Sequence, residues 1–261
     1  MFTTAGPVLA GFDFPIGLPM AYAQQIALPD FLTALASFGH GKWADFYNVA
    51  ATPEEISIKR PFYPQRANTG AKQSHLVRAL GLDFIDLLRR RCDYATPLRR
   101  AAAPLFWTVG PSQVGKAAIT GWREVLIPAR ARGARLWPFE GTLATLADPA
   151  APVLAEAYPA EACSHIGVHF LHAMSKRRQE DRRHAAAGLL QRAKRIDVVF
   201  AAETIRLIET GFGPAHDGED PFDSLIGLLG LIEVADGRRA EHPSEQHGAD
   251  RWEGWILGQI S

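Results

Sequence analysis

Two cysteines in 261 residues are too few for a disulfide framework, and Cys92 and Cys163 stand far apart in the chain. Free thiols in a reducing compartment are the expectation, and the chain reads as cytoplasmic. Net charge is also missing: 28 Lys and Arg offset 28 Asp and Glu. That balance removes any global field that would draw the protein onto nucleic acid or anionic lipid, so such a partner needs a local patch. No stretch of about 18 apolar residues occurs, and the opening MFTTAGPVLAGFD lacks the basic start and long apolar core of a secretory signal. Neither membrane spanning nor secretion is expected. Repeats and low-complexity tracts are absent as well.

What is present is an alternation of short apolar runs and amphipathic stretches, the pattern of an α/β fold. The chain is long enough to bury a sizeable core and reads as one domain over residues 1–261. VLAGFDFPIGLP (Val8 to Pro19) opens with a buried-strand pattern that Asp13 interrupts. LPDFLTALASFG predicts a helix closed by glycine, and KWADFYNVA, SHLVRALG and LDFIDLLRRRCD predict others. The proline-broken stretch from Thr52 to Gln73 predicts a long loop, within a helical and loop insertion around residues 28–103. APLFWTVG and ARLWPFEG are strand candidates on either side of a helix, SQVGKAAITGWREVLIPAR. PVLAEAYP repeats the opening theme with Glu156, helices fill Arg178 to Phe212, and Asp220 to Ala235 predicts a strongly apolar helix. The tail turns aromatic and should pack back on the domain.

Several patterns could carry chemistry. GPSQVGK (Gly110 to Lys116) has the spacing of a phosphate loop, but Ala117 stands where the magnesium-holding hydroxyl belongs and Pro111 removes a backbone donor. The competing reading is a helix start where small residues permit close packing. His165, His169 and His172, with Glu161 a turn earlier, could share one helical face as metal ligands or form an ordinary histidine face. Basic runs at RRRCDYATPLRR, RARARGAR and SKRRQEDRR are either solvated faces or elements of a phosphodiester-binding surface.

The acids are more coherent. A lone carboxylate in an apolar strand costs several kcal/mol unless it is paired, hydrogen-bonded or metal-bound, so Asp13 needs a role. Asp220 and Asp223, three residues apart at a helix start, point to one side. Asp220 alone could serve as a cap with Pro221 in the first turn; Asp223 is not explained that way. Asp13, Glu156, Asp220 and Asp223 could meet where strand ends converge and share Mg²⁺ or Mn²⁺. Two such ions about 4 Å apart activate water for phosphodiester cleavage.

GFDFPIGLP, AEAYPAEA, SKRRQEDRR and GEDPFDSLIGLLGLIEV, in that order, resemble the predicted-nuclease family of RNase H-like fold known as domain of unknown function 429. LFWTVGPSQVGKAAITGWREVL, LWPFEG and EGWILGQ resemble one bacterial branch of it. The resemblance spans nearly the whole chain and implies a metal-dependent nuclease. Asp13 would be a strand carboxylate, Glu156 would occupy the E-x-x-P strand, and Asp220 and Asp223 would be the final-helix pair. Lys176 and Arg182 match a basic segment with a phosphate-binding role. In this reading Asp13, Asp220 and Asp223 hold the metal.

Family members begin with strands upstream of FDFPIG, the first bearing the leading Asp. Here only twelve residues precede Asp13, none of them acidic. The resemblance therefore implies that the first three strands and one carboxylate are missing, through a late start, a cut or a natural short form without activity. It also implies that residues 8–14 are an exposed sheet edge, suited to self-association unless the N-terminal residues cover it. The alternative is a non-catalytic or nucleotide-binding protein that uses Lys116 and the GPSQVGK loop.

Overall fold

The computed structural model describes residues 6–67, 70–97, 99–110, 113–168, 174–214, 218–243 and 251–260. The chain is mixed α/β, with a small three-stranded parallel sheet of order β1-β3-β2: β1 Leu9–Phe12, β2 Arg135–Leu136 and β3 Val153–Glu156. Leu9 pairs with Val153 and Phe12 with Glu156, so the two strands end level. β3 is central and buried at all four residues, as a parallel strand covered on both faces must be. The helices are α1 Met20–Ala23, α2 Phe31–Ser37, α3 Gln73–Ala79, α4 Val114–Thr120, α5 Ile127–Arg130, α6 Leu143–Leu146, α7 Pro159–Ile166, α8 Gln179–Arg195, α9 Ala202–Glu209 and α10 Glu219–Ala235. A π-helical stretch, Gly121–Leu126, joins α4 to α5. Among the described residues no helix is long and apolar enough to cross a membrane.

The chain divides into two compact units. The first comprises residues 1–156 and 244–256 and holds the sheet. Its core is aromatic: Phe31, Phe38, Phe46, Phe62, Phe106 and Trp122 are all fully buried. Four of these six come from residues 28–103, so that segment supplies the centre of this unit. α2 starts where expected, with the Asp30 carboxylate accepting from the Thr33 amide at 2.7 Å. KWADFYNVA and LDFIDLLRRRCD are not regular helices. They form short 3₁₀ turns at Gly41–Trp43, Ile85–Leu88 and Arg91–Asp93, which let large side chains turn inward at irregular spacing. APLFWTVG is not a strand either: Trp107 makes a single bridge to Tyr63.

The second unit comprises residues 157–243 and 257–261. α7, α8, α9 and α10 pack around Leu189, Phe222, Ile226 and Leu229. α10 is apolar on most sides because α7 lies close along it. At Gly230 a Cβ would sit 3.1 Å from the Ala162 Cβ, so glycine permits the approach.

Candidate functional site

In the first unit the two strand acids lie at the carboxyl edge of the parallel sheet. Phe12 and Glu156 are register partners, and Asp13 follows Phe12 as an exposed residue. Open α/β sheets bind ligands beyond this edge. The Glu156 carboxylate is buried and faces Arg90: Nη1 donates to Oε2 at 2.6 Å and Nη2 to Oε1 at 2.7 Å. Oε2 also accepts from the Ile16 amide at 2.7 Å. Arg90 further donates to both oxygens of Asp93, each at 2.9 Å, and to the Ile16 carbonyl at 3.1 Å. Burial raises the Glu156 carboxyl above its ordinary range, and Arg90 works against that rise. With both oxygens engaged, Glu156 is a brace for the turn after β1 and has no lone oxygen to lend a metal.

That turn is clamped from a second side. Leu18 donates from its amide to the Trp252 carbonyl at 2.7 Å, and the Trp122 indole donates to the Pro15 carbonyl at 2.7 Å. Gly17 has φ of +136°, and a Cβ there would fall 2.0 Å from the Glu253 carbonyl oxygen, so only glycine fits. FDFPIG and WEG are thus two halves of one rigid crossing that fixes the backbone at Asp13. Sequence reading missed Arg90 and Glu253. The signal for Glu253 was an acid between two tryptophans in a polar tail.

In the second unit the acids gather at the first turn of α10. Lys176 Nζ ion-pairs with Asp223 Oδ2 and lies 3.5 Å from Glu219 Oε1, while Arg177 Nε lies 3.7 Å from Glu219 Oε2. α10 begins at Glu219, so Asp220 sits inside the first turn, and no side-chain capping bond is formed there among the described residues. The cap reading of Asp220 is therefore replaced by an exposed first-turn acid. Asp223 is different: its side chain is only 15% exposed, and Oδ1 is buried with no hydrogen-bond partner among the described residues. Burial raises its carboxyl above the ordinary range, and Lys176 opposes the shift.

Arg182 is fully buried. Its Nε donates to the Gly211 carbonyl at 2.8 Å, Nη1 to the Lys176 carbonyl at 2.6 Å and Nη2 to the Gly213 carbonyl at 2.9 Å. All three nitrogens are on main-chain acceptors, so it positions the Lys176 segment in place of the expected phosphate contact.

The GPSQVGK loop includes Pro111 and Ser112, which lie outside the described residues. The Gly115 amide donates to the Trp107 carbonyl at 3.0 Å, and a Cβ at Gly115 would sit 2.8 Å from that oxygen. The glycine thus serves close packing and its donor is not offered to phosphate; Lys116 is exposed on α4. His169 and His172 also lie outside the described residues. His165 is buried with Nδ1 3.7 Å from Glu233 Oε2, and Glu233 itself pairs with Arg192. Burial pushes the Cys163 thiol up to about 12 and the Cys92 thiol up as well, which leaves neither as a ready thiolate.

Among the described residues no three His, Cys, Asp or Glu side chains gather closely enough to hold a metal ion by themselves. Asp223 still fits a cation, because a buried carboxylate oxygen without a donor is what a hard ion satisfies. Mg²⁺ commonly takes one or two protein carboxylates and completes its shell with water and substrate phosphate. Glu156 does not fit, for the reason given above. Comparison of the chain with protein-family models, curated protein sequences and solved structures returns no match.

Proposed function

We propose that the chain is a Mg²⁺- or Mn²⁺-dependent phosphodiesterase of RNase H-like class acting on nucleic acid, as the resemblance of its ordered motifs implies. The observation that carries this reading is Asp223: a mostly buried carboxylate with one oxygen on Lys176 and the other without a hydrogen-bond partner among the described residues. The placement of the motifs is in keeping with it. FDFPIG follows the first parallel strand, E-x-x-P follows its neighbour, and D-P-x-D opens the longest apolar helix.

Asp223 would hold the ion through Oδ1, with exposed Asp220 in the same first turn of α10. Lys176 holds Asp223 Oδ2 in place and is the phosphate-facing cation. The ion, when bound, lowers the pKa of a water and stabilises the leaving oxygen. Arg182 stands behind the Lys176 segment as a buried brace. Self-association through the side of β1 that is unpaired among the described residues belongs to the same reading.

The test is Mn²⁺-dependent cleavage of linear and branched nucleic acids together with Mn²⁺ affinity measured by titration. Asp223→Asn should reduce cleavage by about a hundredfold, the scale of losing one charge-stabilising group, and weaken Mn²⁺ in parallel. No cleavage by the parent chain, or unchanged Mn²⁺ affinity in Asp223→Asn, removes the proposal.

A further inference from the structure

In the second unit one ammonium answers two acids. Lys176 Nζ ion-pairs with Asp223 Oδ2 and lies 3.5 Å from Glu219 Oε1. Glu219 and Asp223 stand four residues apart on α10, so both project from one face of the helix. Sequence spacing paired Asp223 with Asp220, but it is Glu219 that shares a cation with it. The other Glu219 oxygen lies 3.7 Å from Arg177 Nε, whose side chain is 68% exposed, a contact that solvent weakens.

The backbone beneath this lysine is fixed, while its side chain is free to turn. Arg182 Nη1 donates to the Lys176 carbonyl at 2.6 Å, and the Ser175 amide donates to Asp181 Oδ2 at 2.7 Å. The Lys176 side chain is 37% exposed, and it ends in a point charge on a flexible four-carbon stem. Glu156 is the contrast: there a buried planar guanidinium engages both carboxylate oxygens and is locked in place. Asp223 is only half answered by its lysine, since Oδ1 is buried with no hydrogen-bond partner among the described residues.

We infer that Lys176 is a tethered counter-ion of the metal site: its ammonium bridges Asp223 and Glu219, gives way to a divalent cation, and turns outward to substrate phosphate. The inference rests on the metal reading of Asp223 and adds Glu219 as the second carboxylate. An ammonium and a divalent ion on one mostly buried carboxylate repel each other, because charges there are poorly screened. Displacement relieves that repulsion and leaves two negative charges to face a doubly charged ion, with the one or two carboxylates that Mg²⁺ commonly takes. The displaced lysine stays anchored through its carbonyl on Arg182, so its charge remains close to where phosphate arrives.

Two measurements on the full chain test it, neither of them cleavage. In the first, the affinity for Mn²⁺ is measured by calorimetry in the parent chain, Lys176→Met and Glu219→Gln. Lys176→Met should bind Mn²⁺ about tenfold tighter, because a like charge is removed; a lysine that only braces Asp223 would give weaker binding on its loss. Glu219→Gln should weaken Mn²⁺ about tenfold. In the second, reductive methylation of lysines is followed by mass spectrometry. Saturating Mg²⁺ should speed the labelling of Lys176 several-fold and leave that of Lys116, exposed on α4, unchanged. This measurement needs no variant and stands if Lys176→Met does not fold. Mn²⁺ binding by the parent without tightening in Lys176→Met, full affinity in Glu219→Gln, or Lys176 labelling indifferent to Mg²⁺ overturns the inference and leaves Asp223 as a metal ligand. Absence of Mn²⁺ binding in all three chains removes the metal reading itself, and the inference with it.

Discussion

Arg90 lies between two carboxylates in the interior, and its removal strands both. A buried ion network costs desolvation to form, but breaking it by deleting one partner leaves an uncompensated charge and typically costs about 3–5 kcal/mol. Arg90→Met should lose stability on that scale in urea unfolding. Glu156→Gln should lose less, since Asp93 still answers Arg90, and it should leave Mn²⁺ affinity unchanged. A variant of Glu156 that weakens Mn²⁺ without destabilising the fold would return this residue to the metal site. His165 offers a second residue-scale prediction. Burial, helped by Arg239 and opposed by Glu233, depresses its pKa to about 4. A histidine whose folded pKa lies below the unfolded value of about 6.5 binds its proton more readily when unfolded. Stability is therefore full above about pH 6.5 and is lost as pH falls from there toward about 4, by up to about 3 kcal/mol. Urea midpoints between pH 7 and pH 4.5 should show this slope, and His165→Phe should flatten it.

Among the elements, glycine placement separates packing from flexibility. A Cβ at Gly121 would sit 2.6 Å from the Phe14 ring, whereas Gly188 in α8 has open space around its Cβ position. Gly121→Ala should destabilise by about 1–3 kcal/mol through overpacking. Gly188→Ala should raise the thermal midpoint, with a gain of about 0.4–1 kcal/mol from helix propensity. The same elements show what the sequence made legible. The strand around Leu9, the strand before Glu156, the helix after Asp30 and the long α10 all follow apolar periodicity and turn residues. KWADFYNVA and LDFIDLLRRRCD did not, because 3₁₀ turns bury residues at spacings that imitate a helix over one turn. The site was half legible for a related reason. Acid spacing revealed Asp223, but Arg89, Arg90 and Arg91 are identical letters. Only tertiary packing decides that the middle one turns into the core while its neighbours stay nearer the surface.

At the scale of the molecule, an open strand meets an absence of net charge. β1 pairs with β3 on one side, and the described strand order ends at β1 on the other. An unpaired row of amides and carbonyls is a template for another chain unless charge or covering segments blunt it, and LAGF carries no charge. With 28 cations against 28 anions and a pI near 7.1, repulsion between copies is weakest close to neutral pH. Self-association should therefore be concentration-dependent and strongest near pH 7, and light scattering coupled to gel filtration should show the mass falling as pH moves away from neutrality. Val8→Lys places a charge at the mouth of the strand and should shift the protein toward monomer without lowering its thermal midpoint. An unchanged mass distribution in that variant, or a monomer at every concentration for the parent chain, would mean that the edge is already covered.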